Sequence, residues 1–177
     1  DSLLRFLNAS GFSFPGGDPA RKEVEQFLFA FDSNLKPVVG QQITLTDTNS
    51  GVVNPRINLL IARAVAGDAD LVVKGILSGQ SRGWRFNGST FDSDKAGEAA
   101  LSSTALRAVA AVAGQPLTFM AVPPGSGVRI GIDRDEDAVL DNDDNCASVV
   151  NPTQIDTDSD GAGNVCDDDD DNDGLSD

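Results

Sequence analysis

Three times between Asp133 and Asp177 the chain sets an acidic side chain at every second position: Asp133-Asp135-Asp137, Asp156-Asp158-Asp160 and Asp169-Asp171-Asp173. A turn position follows each triple, at Ala138, Gly161 or Gly174, and three residues further on stands Asp141, Asn164 or Asp177. Carboxylates at positions 1, 3 and 5 of a tight loop can converge on one hard cation, and calcium takes six to eight oxygen ligands at loose geometry. Glycine at position 6 permits the sharp turn, and the next carbonyl, at Val139, Ala162 or Leu175, can add an oxygen. The plainer alternative is a solvated acidic tail, the usual meaning of a long charge run. A disordered tail, however, needs neither alternation, nor glycine at a fixed offset, nor flanking cysteines.

The same stretch carries Asp144-Asn145-Cys146, then Asn151-Pro152-Thr153-Gln154, then DTDSDGAGNVCD from Asp156 to Asp167, and closes on DDDDNDGLSD. In these motifs residues 133–177, about a quarter of the chain, resemble thrombospondin type 3 repeats. The resemblance implies a chain with little regular secondary structure, wrapped around a row of several calcium ions. The implied ligand set is Asp133, Asp135, Asp137, Val139, Asp141, Asp144, Asp156, Asp158, Asp160, Ala162, Asn164, Asp167, Asp169, Asp171, Asp173, Leu175 and Asp177. Three departures stand out. Ala138 replaces the usual glycine, Asn164 a usual aspartate, and Ala147 follows Cys146 where proline is favoured. A left-handed residue other than glycine costs about 1 kcal/mol, so a weaker or reshaped first site is expected.

Cys146 and Cys166 are the only cysteines. Two free thiols or a metal pair are the alternatives, but zinc is disfavoured by the absence of histidine. A Cys146–Cys166 disulfide is the better reading and matches the resembled family; closing that loop would stabilise by about 3 kcal/mol in the chain-entropy picture. A disulfide implies an oxidising compartment, and millimolar calcium is an extracellular condition. Both point to the outside of the cell or its surface. The chain starts at Asp1 and not at methionine, which reads as a signal peptide or upstream region absent from this sequence. No apolar run is long enough to span a bilayer.

Charge separates the tail from the rest. Of 28 acidic and 13 basic residues, 17 and one fall from Asp133 onward, so the tail carries -16 of the net -15 and the preceding 132 residues +1. Without cations such a tail repels itself and stays extended, so metal binding and tail folding should be one event. The expected organisation is an α+β domain over 1–132 followed by the repeats over 133–177.

The elements ahead of the tail are legible from periodicity. Residues 1–17 form an apolar lead whose Leu3, Leu4, Phe6, Leu7, Phe12 and Phe14 require burial somewhere. Asp18-Pro19 marks a helix start, with Val24, Phe27, Leu28 and Phe31 at helical spacing over about 19–31. Residues 41–46 alternate as a strand. Asn54-Pro55 opens a second helix, with Ile57, Leu60, Ile61 and Ala64 inward and Gly67 as its end. Strands follow at 70–77 and 81–86, and Asn87-Gly88 signals a two-residue hairpin returning through 89–92. Ser102 or Ser103 caps a third helix burying Leu106, Val109, Ala110 and Ala113; Leu117 to Val122 is the last strand. Residues 123–127 turn, and 128–132 lead into the first acidic loop. These predict a small two-layer α+β fold with a mainly antiparallel sheet and about three helices, the tail docked on it.

Little else could do chemistry. The absence of histidine excludes a Ser-His-Asp triad, a Cys-His dyad and histidine-bound zinc. Residues 125–131 resemble a nucleotide loop only loosely; the third glycine is misplaced and no helix is expected to follow, so a turn is favoured. Trp84 beside Arg82 and Arg85 could stack on a ligand, but a half-buried sheet residue is commoner. Lys74 could enter an isopeptide bond, but an ordinary edge lysine is the simpler reading. Asn8 and Asn87 begin glycosylation sequons, which are common by chance. The net charge disfavours nucleic acid. The reading is therefore a non-enzymatic, secreted or surface calcium-binding structural protein that self-assembles, as a filament or matrix subunit, through residues 1–14 and the tail. The alternative is a non-catalytic C-terminal calcium-binding module of a larger secreted enzyme or adhesin.

Overall fold

The structure, a computed structural model, describes residues 17–30 and 34–176, the side chains of 25–30 excepted. Residues 1–16 of the apolar lead, with the Asn8 sequon, lie outside the described residues, as do Phe31, Asp177 and the side chains of Phe27 and Leu28. The chain divides into two compact units, Asp1–Asn34 and Leu35–Asp177. In the first, helix α1 runs Gly17–Ala30. It starts two residues before the expected position, so Asp18 lies in its first turn, where its carboxylate accepts from Arg21 one turn later at 2.6 Å.

The second unit is built on five strands: β1 (Gln42–Leu45), β2 (Asp70–Leu77), β3 (Gln80–Phe86), β4 (Phe91–Ser93) and β5 (Leu117–Val122). They pair in the order β1-β5-β2-β3-β4, every pair antiparallel, as the tight hairpins predict. Two helices, α2 (Ser50–Val65) and α3 (Ser103–Ala110), bring Ile57, Leu60, Leu106 and Ala110 onto one face of the sheet. There they meet Leu71, Val73, Trp84, Phe86, Leu117, Phe119 and Ala121, the alternate residues of neighbouring strands. Phe119 is fully buried and meets Phe91 edge to face, with ring centroids 6.2 Å apart. The fold is α+β, as expected.

Four local readings shift. α3 ends at Ala110, so Ala113, expected inward on it, is exposed in the turn beyond. α2 begins at Ser50, not at Asn54, and Pro55 lies inside it. Asn54 caps nothing: its side-chain oxygen accepts from Arg107 of α3 at 3.0 Å, and Asn58 accepts from the same guanidinium. The β3–β4 turn is centred one residue late. Asn87 and Thr90 close it, and the Asn87 side chain accepts from the Ser89 and Thr90 amides, so β4 begins at Phe91. Residues 127–131 form a short helix, α4, rather than a plain lead-in.

That helix lies against the other face of the sheet, where Gly131 packs on Val72 and Arg85. The approach is close enough to demand glycine on the strand: a Cβ at Gly83 would collide with the Gly131 carbonyl oxygen. α4 thus fixes where the acidic tail starts. The amides of Ile132 and Asp133 both donate to the Val128 carbonyl, and the first acidic loop grows directly from the helix end.

Candidate metal centre

Beyond α4 the described tail is turns and bends, with one 3-10 turn at Asn164–Cys166. It holds one local design three times. With the first aspartate as position 1, the Asp133 carboxylate accepts from the amides of Glu136 and Ala138, positions 4 and 6, at 2.7 and 3.2 Å. Asp156 accepts likewise from Ser159 and Gly161, and Asp169 from Gly174. Position 3 accepts from the amide of position 5 in each loop, and position 5 from that of position 7, which is Val139, Ala162 or Leu175. Position 9 closes the first two loops. Asp141 accepts from the Arg134 amide and Asn164 from the Thr157 amide, at 2.7 and 2.9 Å.

The backbone repeats as closely. Position 6 is left-handed in all three loops, Ala138 included, at φ 79°, 102° and 85°. Position 4 is left-handed as well: Glu136, Ser159 and Asn172 stand at φ 63°, 65° and 54°. The sequence reading missed this second turn position. Its only signal would be that polar residues tolerate the conformation with a backbone amide turned onto a carboxylate.

This winding brings the carboxylates together. One oxygen from each of Asp133, Asp135 and Asp137 lies within 4.8 Å of the others, and the same holds for Asp156, Asp158 and Asp160 and for Asp169, Asp171 and Asp173. Burial raises the Asp135 carboxyl above its ordinary value, reinforced by the charges of Asp137, Asp144 and Asp133. The Asp158 carboxyl is raised by desolvation too, with Asp160 and Asp156 adding to it. Asp135 Oδ2 and Asp167 Oδ2 are buried with no hydrogen-bond partner among the described residues. Converged anions with unpaired buried oxygens fit a bound cation, and the donor set is entirely oxygen, the chemistry of a hard ion. Three clusters could hold metal.

Around the clusters the chain is stitched. Cys146 and Cys166 form a disulfide, Cα atoms 5.8 Å apart. Asp144 Oδ1 accepts from the Cys146 amide and Gln154 Nε2, and Gln154 Oε1 accepts from the Asn145 amide, so the NPTQ motif braces the first cysteine. Asn151 donates its amide to Asp137 Oδ2, joining that brace to the first loop. Asn164 Nδ2 reaches Asp170, and Asn172 Nδ2 reaches Asp158, lacing the second loop to the third.

The other candidates resolve into structure. The amides of Gly125 and Gly127, which a phosphate loop would aim at its ligand, both donate to Asp70 Oδ2 at 2.9 and 2.8 Å. Trp84 is 1% exposed, deeper than expected, and Arg82 covers its ring at 5.7 Å. Arg82 is itself buried in a network the sequence did not announce. It donates to Asp94, to Ser93 and to Glu98, whose carboxyl is held below its ordinary value by hydrogen bonds from Arg82 and Ser93. Lys74 stands on the central strand, not at an edge, and its ammonium lies 3.1 Å from Asp141 Oδ2 beside a cleft of about 140 Å³. Among the described residues no helix is long and apolar enough to cross a membrane. No family model, curated protein or solved structure matches the chain.

Proposed function

We propose that this chain is a secreted or cell-surface calcium-binding structural protein, its C-terminal repeats of the thrombospondin type 3 kind, rigidified by calcium. The observation that carries the reading is the threefold recurrence of one loop, in hydrogen bonding, in left-handed positions and in the convergence of three carboxylates. Zinc and copper are poorly served: the chain has no histidine, and both thiols are consumed in the disulfide. Calcium suits many oxygens at loose geometry better than magnesium, which demands near-ideal octahedra. Asp133, Asp135, Asp137 and Asp141 would hold an ion in the first loop. Asp156, Asp158, Asp160 and Asn164 would do so in the second, and Asp169, Asp171 and Asp173 in the third. The disulfide and a demand for abundant calcium agree with an oxidising, extracellular setting.

In this reading the chain is not an enzyme, and it joins copies of itself through residues 1–14 and the neutralised tail. Six large apolar side chains left in water would each forgo about 1.5–3 kcal/mol. A tail of -16 charge would repel a neighbour until cations bind. Circular dichroism and size analysis of the purified protein test both halves. Calcium should order the tail and enlarge the particle, and chelator should reverse both. A tail ordered by calcium in a protein that stays monomeric would move the reading to a module of a larger secreted protein. No spectral change with calcium would remove the reading altogether.

A further inference from the structure

Position 9 has two side-chain heteroatoms, and the loops spend the second one differently. In the second loop, Asn164 Oδ1 closes the loop while Nδ2 turns to Asp170 and Thr157, inside the acidic tail. In the first loop, Asp141 Oδ1 closes the loop while Oδ2 takes the Lys74 ammonium, from the central strand of the sheet. The Lys74 and Asp141 side chains are 31% and 10% exposed, so the pair is partly shielded from solvent. We propose that Lys74 is a built-in counter-ion that keeps the first acidic loop folded and docked on the sheet without metal. The tail then responds to calcium in two parts, the first loop standing and the second and third loops ordering. The two-part response rests on the metal reading above; the metal-free part does not.

Other contacts make the first loop a fixture. Its start is held by the Asp133 amide on Val128, and its end by the Asp141 amide on Ile132. Just beyond, the Asn142 amide donates to the Asp94 carbonyl and Asp143 accepts from the Ala96 amide, at 2.9 and 2.5 Å. Asp133 and Asp137 are 6% and 9% exposed, so water cannot do for their charges what it does for carboxylates in the open. They depend on backbone amides and on a nearby cation, and Lys74 supplies one through Asp141. Arg82, close by, is already committed to Asp94 and Glu98.

Hydrogen exchange by mass spectrometry on the full chain tests this, in EGTA and in millimolar calcium chloride, with peptides from β2 as the measure of global stability. In EGTA, residues 133–143 should exchange roughly tenfold more slowly than 156–176. Lys74→Met should bring residues 133–143 to the rate of the distal loops while β2 peptides stay protected, and Lys74→Arg should restore protection. Asp141→Asn is the second variant. It places at position 9 the residue the second loop already uses, keeps the closing oxygen and removes the ion pair, so in EGTA it should act as Lys74→Met does. The proposal is overturned if the first loop exchanges as fast as the others in EGTA. It is overturned equally if both variants leave that loop unchanged, or expose β2 to the same degree. If calcium changes no peptide of the tail, the metal reading fails, while the comparison in EGTA still decides the role of Lys74.

Discussion

Ala138 shows how one side chain departs from a pattern without breaking it. Its φ of 79° is that of the glycines at the matching positions, so the first loop accepts a left-handed alanine. The penalty for a Cβ there is about 1–2 kcal/mol, partly offset because glycine loses more chain entropy on folding. Ala138→Gly should therefore stabilise the folded first loop, slowing hydrogen exchange of residues 133–143 in EGTA by roughly two- to fivefold, and leave the second and third loops unchanged. Unchanged or faster exchange there would mean that the strain is absent. At this scale the candidate site was legible where residue type alone does the work. Alternating aspartates can face one point only if the backbone winds, and they are the residues that gather. What was not legible depends on groups far apart in sequence or on the backbone. Asp70 takes the amides of Gly125 and Gly127, Lys74 meets Asp141 across 67 positions, and Glu136, Ser159 and Asn172 turn left-handed with no special residue to announce it.

The elements that position the site obey ordinary patterning. β2, β3 and β5 show alternation or near-continuous burial, and each was placed to within a residue or so, β2 from its β-branched residues and β3 from the turns on either side of it. Where placement failed, a side chain with two possible uses took the other one. Asn54 reads as a cap and serves as an acceptor for Arg107; Asn87 reads as the first turn residue and instead folds its side chain over the turn. α4 was missed because a five-residue helix rich in glycine has no period to detect, and it forms where Gly83 lets its backbone come close. The sheet is the platform for the first loop, so damage to its core should reach the tail. Phe119→Ala removes a fully buried ring between β2 and β1 and should cost about 3–5 kcal/mol, measured by denaturant unfolding. It should also loosen residues 133–143 before residues 156–176. A loss below 1 kcal/mol would show that the sheet repacks freely around the gap.

Across the whole molecule, charge and connection divide the labour. The first 132 residues are nearly neutral, at +1, and supply the core; the last 45 carry -16 and supply the oxygens. Loops, disulfide and NPTQ brace shape the tail covalently and by hydrogen bonds, yet the carboxylates they gather repel one another, and Asp135 and Asp158 are pushed toward protonation by desolvation first and by that crowding second. On the proposed reading such a tail lowers its free energy by taking up cations, and binding energy appears as order in the chain. The central claim is that the three carboxylate clusters are cation sites. Isothermal titration of the chelator-treated protein with calcium chloride tests it most directly. The account predicts binding of at least three ions per chain, one for each cluster, between micromolar and millimolar calcium, with Asp158→Asn removing one ion from the count. A titration with no heat up to millimolar calcium, or a count that Asp158→Asn leaves unaltered, would contradict it.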